Sequence, residues 1–294
     1  MRRPLAGPAP AEGILSIQSW VAYGHVGNAA ALFPLQCLGH EVWPVNTVQF
    51  SNHTGYGEWR GDVMTVEHVR AVVTGIGERG AFPRCRAVLS GYLGTPEVGA
   101  AVLDALEAVR AARPDALYAC DPVIGDDGRG VFVREGIPEF LREQAVPRAD
   151  LITPNRFELA WLTGLPVDDE ATALAACAAM RERGPGIVAV TSLPVPGRDD
   201  RLAVLAASAE GAWRVETPRL PVELNGTGDA FTALLLGHWL RNGELGASLA
   251  AAVSSLYAVI ERTWRAGSRE LLLVASAEHL RVPPNSFAAE QTRA

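Results

Sequence analysis

Apolar residues in this chain fall into two kinds of run. Short continuous runs end in small or polar residues, and longer runs carry helical spacing. Residues 13–19 read as a buried strand that delivers Ser19 to its carboxyl end, and a glycine-bearing turn over 21–28 leads into a helix from Ala29 to Leu38, stopped by Gly39. Residues 41–50 alternate but contain Pro44, which predicts an edge or irregular strand. Helical spacing returns over 67–80 and 96–113, the latter with Thr95 as its cap, and a strand over 86–92 lies between them. Strands follow at 116–120, 149–152 and 187–190, helices at 156–162 and 168–183, and a hairpin joins 201–207 to 212–217 around Glu210-Gly211. Long helices at 230–241 and 245–262 come next, and Leu271 to Val274 reads as either a last strand or a helix face. Strands and helices alternating at short loop lengths predict a single α/β domain over 13–282, in which a mainly parallel sheet carries helices on both faces and an antiparallel hairpin extension. Residues 1–12 read as a disordered extension and 283–294 as a loose tail.

Composition agrees with one sizeable core: 294 residues, 48% hydrophobic and 20% charged. A formal net charge of -7 argues against nucleic-acid or anionic-membrane partners. Cys37, Cys85, Cys120 and Cys177 are far apart and lack metal-ligand spacing, which points to a reduced, cytoplasmic setting. No apolar run approaches the roughly 20 residues that span a bilayer. The proline-rich start does not suit a signal peptide, so the sequons at Asn52 and Asn225 read as chance matches.

Candidate chemistry centres on Asn225-Gly226-Thr227-Gly228-Asp229, directly before an apolar helix. Free N–H groups at such a helix start, with bare glycine backbone, suit an anion; a simple capped helix fits the same residues. Asp229 would repel a phosphate there unless it takes a proton from an attacking hydroxyl. Residues 51–61 gather His53, Tyr56, Trp59, three glycines and several hydroxyls and amides, a composition for wrapping a flat polar ring or for an aromatic surface loop pinned by Tyr56 and Trp59. Asp121 and Asp126, in a glycine-rich loop with the freedom of a lid, suit Mg²⁺ held through water and phosphate, or a solvated turn. Thr153, Asn155 and Glu158 share a strand-to-helix junction at which Asn155 also fits as a plain cap, and Thr191 and Ser192 end the next buried strand.

Taken together, Ser19 with 23–28, the segment 46–57, Leu89 to Tyr92, Asp121 to Asp126, Thr153 to Asn155 with Glu158, and Gly226 to Asp229 strongly resemble the pyridoxal kinases of the ribokinase-like superfamily, in order along the chain. The Gly-Thr-Gly-Asp motif alone marks the superfamily, and Val48 to Tyr56 narrows it. The resemblance implies a ribokinase-like three-layer α/β/α fold and ATP-dependent phosphorylation of the 5′-hydroxymethyl group of pyridoxal, with pyridoxine and pyridoxamine as further substrates. It makes Asp229 the base and Gly226, Thr227 and Gly228 the anion hole. Ser19 and Thr54, with Gly55, would meet the pyridine ring, Val26 and Phe50 would wall it, and Tyr92 would lie near it. Asp121 and Thr153 would sit by the phosphates and a monovalent cation (K⁺), and Asp121, Asp126 and Glu158 would serve Mg²⁺. Asn155, Thr191 and Ser192 would line the ATP side, residues 126–133 would close as a flap, and the enzyme would be a homodimer. Two departures stand out: Trp20 where a histidine is common, and Asn225 where an apolar residue is. A hydroxymethylpyrimidine kinase of the same fold and a non-catalytic pyridoxal phosphate binding protein are the competing readings.

Overall fold

The computed structural model describes residues 12–292. The chain opens with strand β1 (Gly13–Val21), buried at every position except the half-buried Trp20, because helices cover both faces of the sheet. Ile14 faces one side, with helices α1 (Asn28–Cys37), α7 (Thr227–Asn242) and α8 (Leu245–Arg265). Leu15 and Ile17 face the other, with α2 (Val66–Glu78), α3 (Pro96–Ala112), α5 (Arg156–Thr163) and α6 (Glu170–Arg181). The period-2 alternation of one strand thus divides the core into two apolar layers.

β1 pairs in parallel with β2 (Glu41–Phe50) on one side and β4 (Cys85–Ser90) on the other, and β5 (Leu117–Cys120), β8 (Leu151–Ile152) and β9 (Ile187–Pro194) continue the parallel set. The order therefore reverses at β1, and the carboxyl ends beside such a reversal are where α/β sheets open a crevice. Antiparallel strands complete the ten-stranded sheet: β3 (Gly61–Val63) on β2, and β10 (Arg201–Ser208), β11 (Gly211–Pro218) and β12 (Glu290–Thr292) beyond β9. Pro44 lies in the half of β2 that β3 does not reach, since pairing with β3 covers only Val48 to Phe50, so the edge expected from this proline is present there. A separate two-strand ribbon, β6 (Gly125–Asp126) with β7 (Gly130–Val131), stands in the glycine-rich loop after β5, and the short α4 (Ile137–Phe140) follows it.

Two segments differ from their sequence reading. Leu271 and Leu273 are buried against α1, α7 and α8 in an irregular stretch that runs into a 3-10 turn at Val274–Ser276 and helix α9 (Ala277–Arg281), so no strand forms there. The tail expected to be loose is held: Phe287 packs edge-on against Tyr257 at 4.9 Å, and β12 (Glu290–Thr292) pairs antiparallel with β11. β12 covers N–H and C=O groups that β11 would otherwise leave open at the sheet edge. The expected N-terminal extension lies outside the described residues except for Glu12, whose carboxylate pairs with Arg86 and Arg113.

Candidate active site

A cavity of about 450 Å³ opens along the carboxyl ends of the parallel strands. The residues to which the resemblance gives catalytic, substrate, nucleotide or metal roles all line it, Ser19, Val26, Phe50, Thr54, Gly55, Tyr92, Asp121, Asp126, Thr153, Asn155, Glu158, Thr191, Ser192, Gly226, Thr227, Gly228 and Asp229, whereas Tyr56 and Trp59 of the aromatic loop do not. Val21, Val48, His53, Val123, Gly125, Arg129, Phe132, Leu224 and Asn225 complete the lining. Trp20 is absent from it and bridges to Gly27 in the backbone instead.

One end of the cavity is built on the start of α7. Gly226 is its N-cap in the left-handed region, φ 84°, and a Cβ there would stand 1.8 Å from the carbonyl oxygen of His25. Only glycine fits both the dihedral and the contact. No side chain caps this helix, so its first N–H groups keep their capacity for an anion, except that of Asp229, which turns to its own carboxylate. Burial raises the proton affinity of the Asp229 carboxyl, and hydrogen bonds from the Gly27 and Asp229 N–H groups oppose it. Asp121, 5% exposed, is driven well above the usual carboxylate range by burial and then by the charges of Glu158 and Asp229. Thr232, one turn into α7, ties this corner together: it donates to the Gly228 carbonyl at 3.0 Å and meets Thr153 Oγ1 at 2.6 Å. Thr232 was not singled out from the sequence; its only signal there is its place four residues after Gly228.

Asn155 caps α5, the plainer of the two sequence readings, and does so within the cavity wall. Its Oδ1 accepts from the Glu158 N–H while Glu158 Oε2 accepts from the Asn155 N–H, both at 2.9 Å, a reciprocal capping box. Glu158 Oε1 also accepts from Ile124 N at 2.9 Å and Gly125 N at 3.4 Å, which fixes the β6 ribbon to α5. Burial pushes the Glu158 carboxyl up to about 7 against these bonds. In the ribbon, Asp126 accepts from Gly128 N, Arg129 N and Arg129 Nε; burial raises its proton affinity, but the Arg129 bonds outweigh it and hold the carboxyl below its ordinary value. Arg129 is the one lysine or arginine among the described lining residues, facing a wall with four carboxylates. Within β9, which continues to Pro194, Ser192 takes φ 62°, uncommon for a residue with a Cβ.

The opposite end is apolar. Val21, Val26, Val48 and Phe50 form a small cluster with Tyr92 packed on it. Trp59 lies over Phe50 with ring centres 4.1 Å apart, so the aromatic loop is pinned by Trp59 while its Thr54–Tyr56 turn presents Thr54 and Gly55 to the cavity. His53 caps that turn through Nδ1, which accepts from Gly55 N at 3.1 Å, and burial holds its imidazole below the ordinary value. An apolar, ring-lined end and an end with bare helix N–H groups beside a carboxylate can hold a flat aromatic alcohol against a phosphoryl donor.

Comparison with known proteins agrees. A family model described as phosphomethylpyrimidine kinase matches residues 66–273. Pyridoxal kinase PdxY of Rubrobacter xylanophilus is 57% identical over 276 residues, covering 93% of this chain and 95% of that protein. The structure of pyridoxal kinase from Leishmania donovani in complex with ADP and pyridoxamine superposes with a TM-score of 0.89 at 30% identity, over 96% of this chain and 100% of that one. A putative phosphomethylpyrimidine kinase from Bacteroides thetaiotaomicron, crystallised with pyridoxal, gives 0.87 at 26% identity over 96% and 100%. Fold, cavity and kinship over nearly the whole length converge: the chain belongs to the pyridoxal kinase family and has its ribokinase-like fold.

Proposed function

We propose that this enzyme transfers the γ-phosphoryl group of ATP to the 5′-hydroxymethyl oxygen of pyridoxal, and of pyridoxine and pyridoxamine, giving the 5′-phosphates and ADP. The observation that carries this reading is the uncapped start of α7, with the Asp229 carboxylate in its first turn, sharing one cavity with the Thr54 loop. Asp229 takes the hydroxyl proton as the oxygen attacks the γ-phosphorus, and its raised proton affinity makes it a stronger base than an ordinary carboxylate. The N–H groups following Gly226 receive the charge on the transferring phosphoryl. Ser19, Thr54 and Gly55 hydrogen-bond the pyridine substituents between Val26, Phe50 and Tyr92, while Asn155, Thr191 and Ser192 line the nucleotide side.

Mg²⁺ binds proteins through one or two carboxylates, with waters and substrate phosphates completing its shell. The donor set fits that mode. Asp121 would supply a carboxylate, while Asp126, paired with Arg129 and backbone N–H groups, and Glu158, committed to backbone N–H groups, would act through water. Bound there, Mg²⁺ would neutralise phosphate charge. Asp121 with Thr153 is our site for a monovalent cation, K⁺.

The description of the matching family model favours a second reading, a hydroxymethylpyrimidine substrate. Coupled ADP release with ATP, Mg²⁺ and K⁺, run in parallel on pyridoxal, hydroxymethylpyrimidine and no acceptor, separates them. Pyridoxal-dependent release supports the proposal. Far better turnover of the pyrimidine overturns the substrate assignment, and bound pyridoxal phosphate without ADP formation overturns catalysis.

A further inference from the structure

Outside the cavity, one carboxylate joins its two ends. Glu270 lies in the irregular segment after α8, half-buried, with its backbone braced by Ser268, whose Oγ donates to the Glu270 carbonyl at 2.7 Å. Glu270 Oε1 accepts from Tyr56 Oη at 2.5 Å, and Oε2 accepts from the His25 backbone N–H at 3.1 Å. The first bond holds the turn that presents Thr54 and Gly55. The second holds the residue whose carbonyl packs against Gly226. Arg269 stacks over the Tyr56 ring at 4.4 Å, and Tyr23 meets its edge at 6.4 Å, so the phenol is fixed on three sides. Gly24 leaves the space this requires, since a Cβ there would stand 2.2 Å from Glu270 Oε2. Leu271, the next residue, would be 3.4 Å from a Cβ on Gly226, so adjacent residues back the substrate loop and the start of α7.

We infer that Glu270 is a positioning residue that fixes the substrate loop, through Tyr56, to the turn supporting Gly226 and Asp229, and so sets the distance between acceptor hydroxyl and phosphoryl donor. Glu270 is not among the residues that line the cavity. Its hydrogen bond pushes the Tyr56 phenol up to about 12, as expected of a hydroxyl donating to a carboxylate. A shift of about 1 Å between reacting groups costs on the order of a hundredfold in rate, so a brace across the cavity has direct leverage on turnover. The inference rests on the kinase reading.

The test compares wild type with Tyr56→Phe, Glu270→Ala, Glu270→Gln and the double variant Tyr56→Phe/Glu270→Ala. Tyr56→Phe is expected to raise the KM for pyridoxal about tenfold, the scale of one hydrogen bond to a charged group, and to lower kcat, because the substrate loop is no longer fixed to the turn behind Gly226. Glu270→Ala should raise KM equally and lower kcat further, because it releases His25 as well. The double variant should match Glu270→Ala in KM, Glu270→Gln should recover most of the loss, and the KM for ATP should hold. Amide exchange of residues 51–60 in the ligand-free protein should quicken in Glu270→Ala. Unchanged exchange and unchanged pyridoxal constants beside an active wild type would overturn the brace, as would additive KM effects or a lowered Tm with both substrates weakened alike. Faster exchange in a protein that phosphorylates no pyridoxal would keep the brace and remove the kinase reading.

Discussion

At the scale of single residues, the site depends on a few side chains whose environment sets their chemistry. Gly226 is the sharpest constraint, because its dihedral and its contact with the His25 carbonyl both exclude a Cβ. Gly226→Ala should therefore displace the start of α7. We expect kcat to fall by on the order of a hundredfold while the Tm drops by a few degrees, on the scale of roughly 1–2 kcal/mol for a misplaced backbone residue. A variant with wild-type kcat would show that the helix start is not held by this contact. Residues with chemical signatures were legible in the sequence: carboxylates at strand ends, glycines before a helix, hydroxyls in an aromatic loop. Arg129, Thr232 and Glu270 were not, because their importance comes from what the fold brings beside them, and a lone arginine, threonine or glutamate carries no local signal.

Among the elements, the β6–β7 ribbon is the one whose role the fold changes most. Its Asp-Gly-rich sequence reads as a turn or a lid, and it is a short hairpin tied to α5 through Glu158. The ribbon brings Arg129 to the cavity wall, where it pairs with Asp126 and offsets carboxylate charge, and a guanidinium there would favour phosphate oxygens. Arg129→Ala should raise the KM for ATP about tenfold and leave the KM for pyridoxal within a factor of two; an unaltered ATP dependence would remove Arg129 from the nucleotide site. Strands and helices with clean periodicity were foreseen close to where they stand. Leu271 to Leu273 and β12 were misread for a shared reason: neither is organised by its own periodicity. The leucines fill a gap beside α7 and α8, and β12 forms because β11 offers an open edge.

For the whole molecule, one sheet covered on both sides places two buried carboxyls, Asp121 and Glu158, and the half-buried Asp229 at one edge, each with its proton affinity raised first of all by desolvation. The folded state then holds protons that the unfolded chain has released. For Glu158 the window runs from its ordinary 4.5 to about 7; its stabilising contribution is full below the lower value and is lost as pH rises through the upper one. The Tm advantage of wild type over Glu158→Gln, measured without ligand, should shrink between those two pH values, and a constant difference would contradict the assignment. Among the described residues, no helix is long and apolar enough to cross a membrane. We propose a homodimer, for which light scattering should return twice the chain mass; a monomer across the working concentration range would refute it.

The most direct test of the central claim follows label from [γ-³²P]ATP into pyridoxal with wild type and Asp229→Asn, while equilibrium binding of pyridoxal and nucleotide is measured on both. Labelled pyridoxal 5′-phosphate from wild type, with transfer lower by on the order of 10²–10⁴-fold in a variant that still binds both substrates, is the predicted result. Wild-type transfer by Asp229→Asn would contradict Asp229 as base, and no labelled vitamer from wild type would contradict the kinase assignment itself.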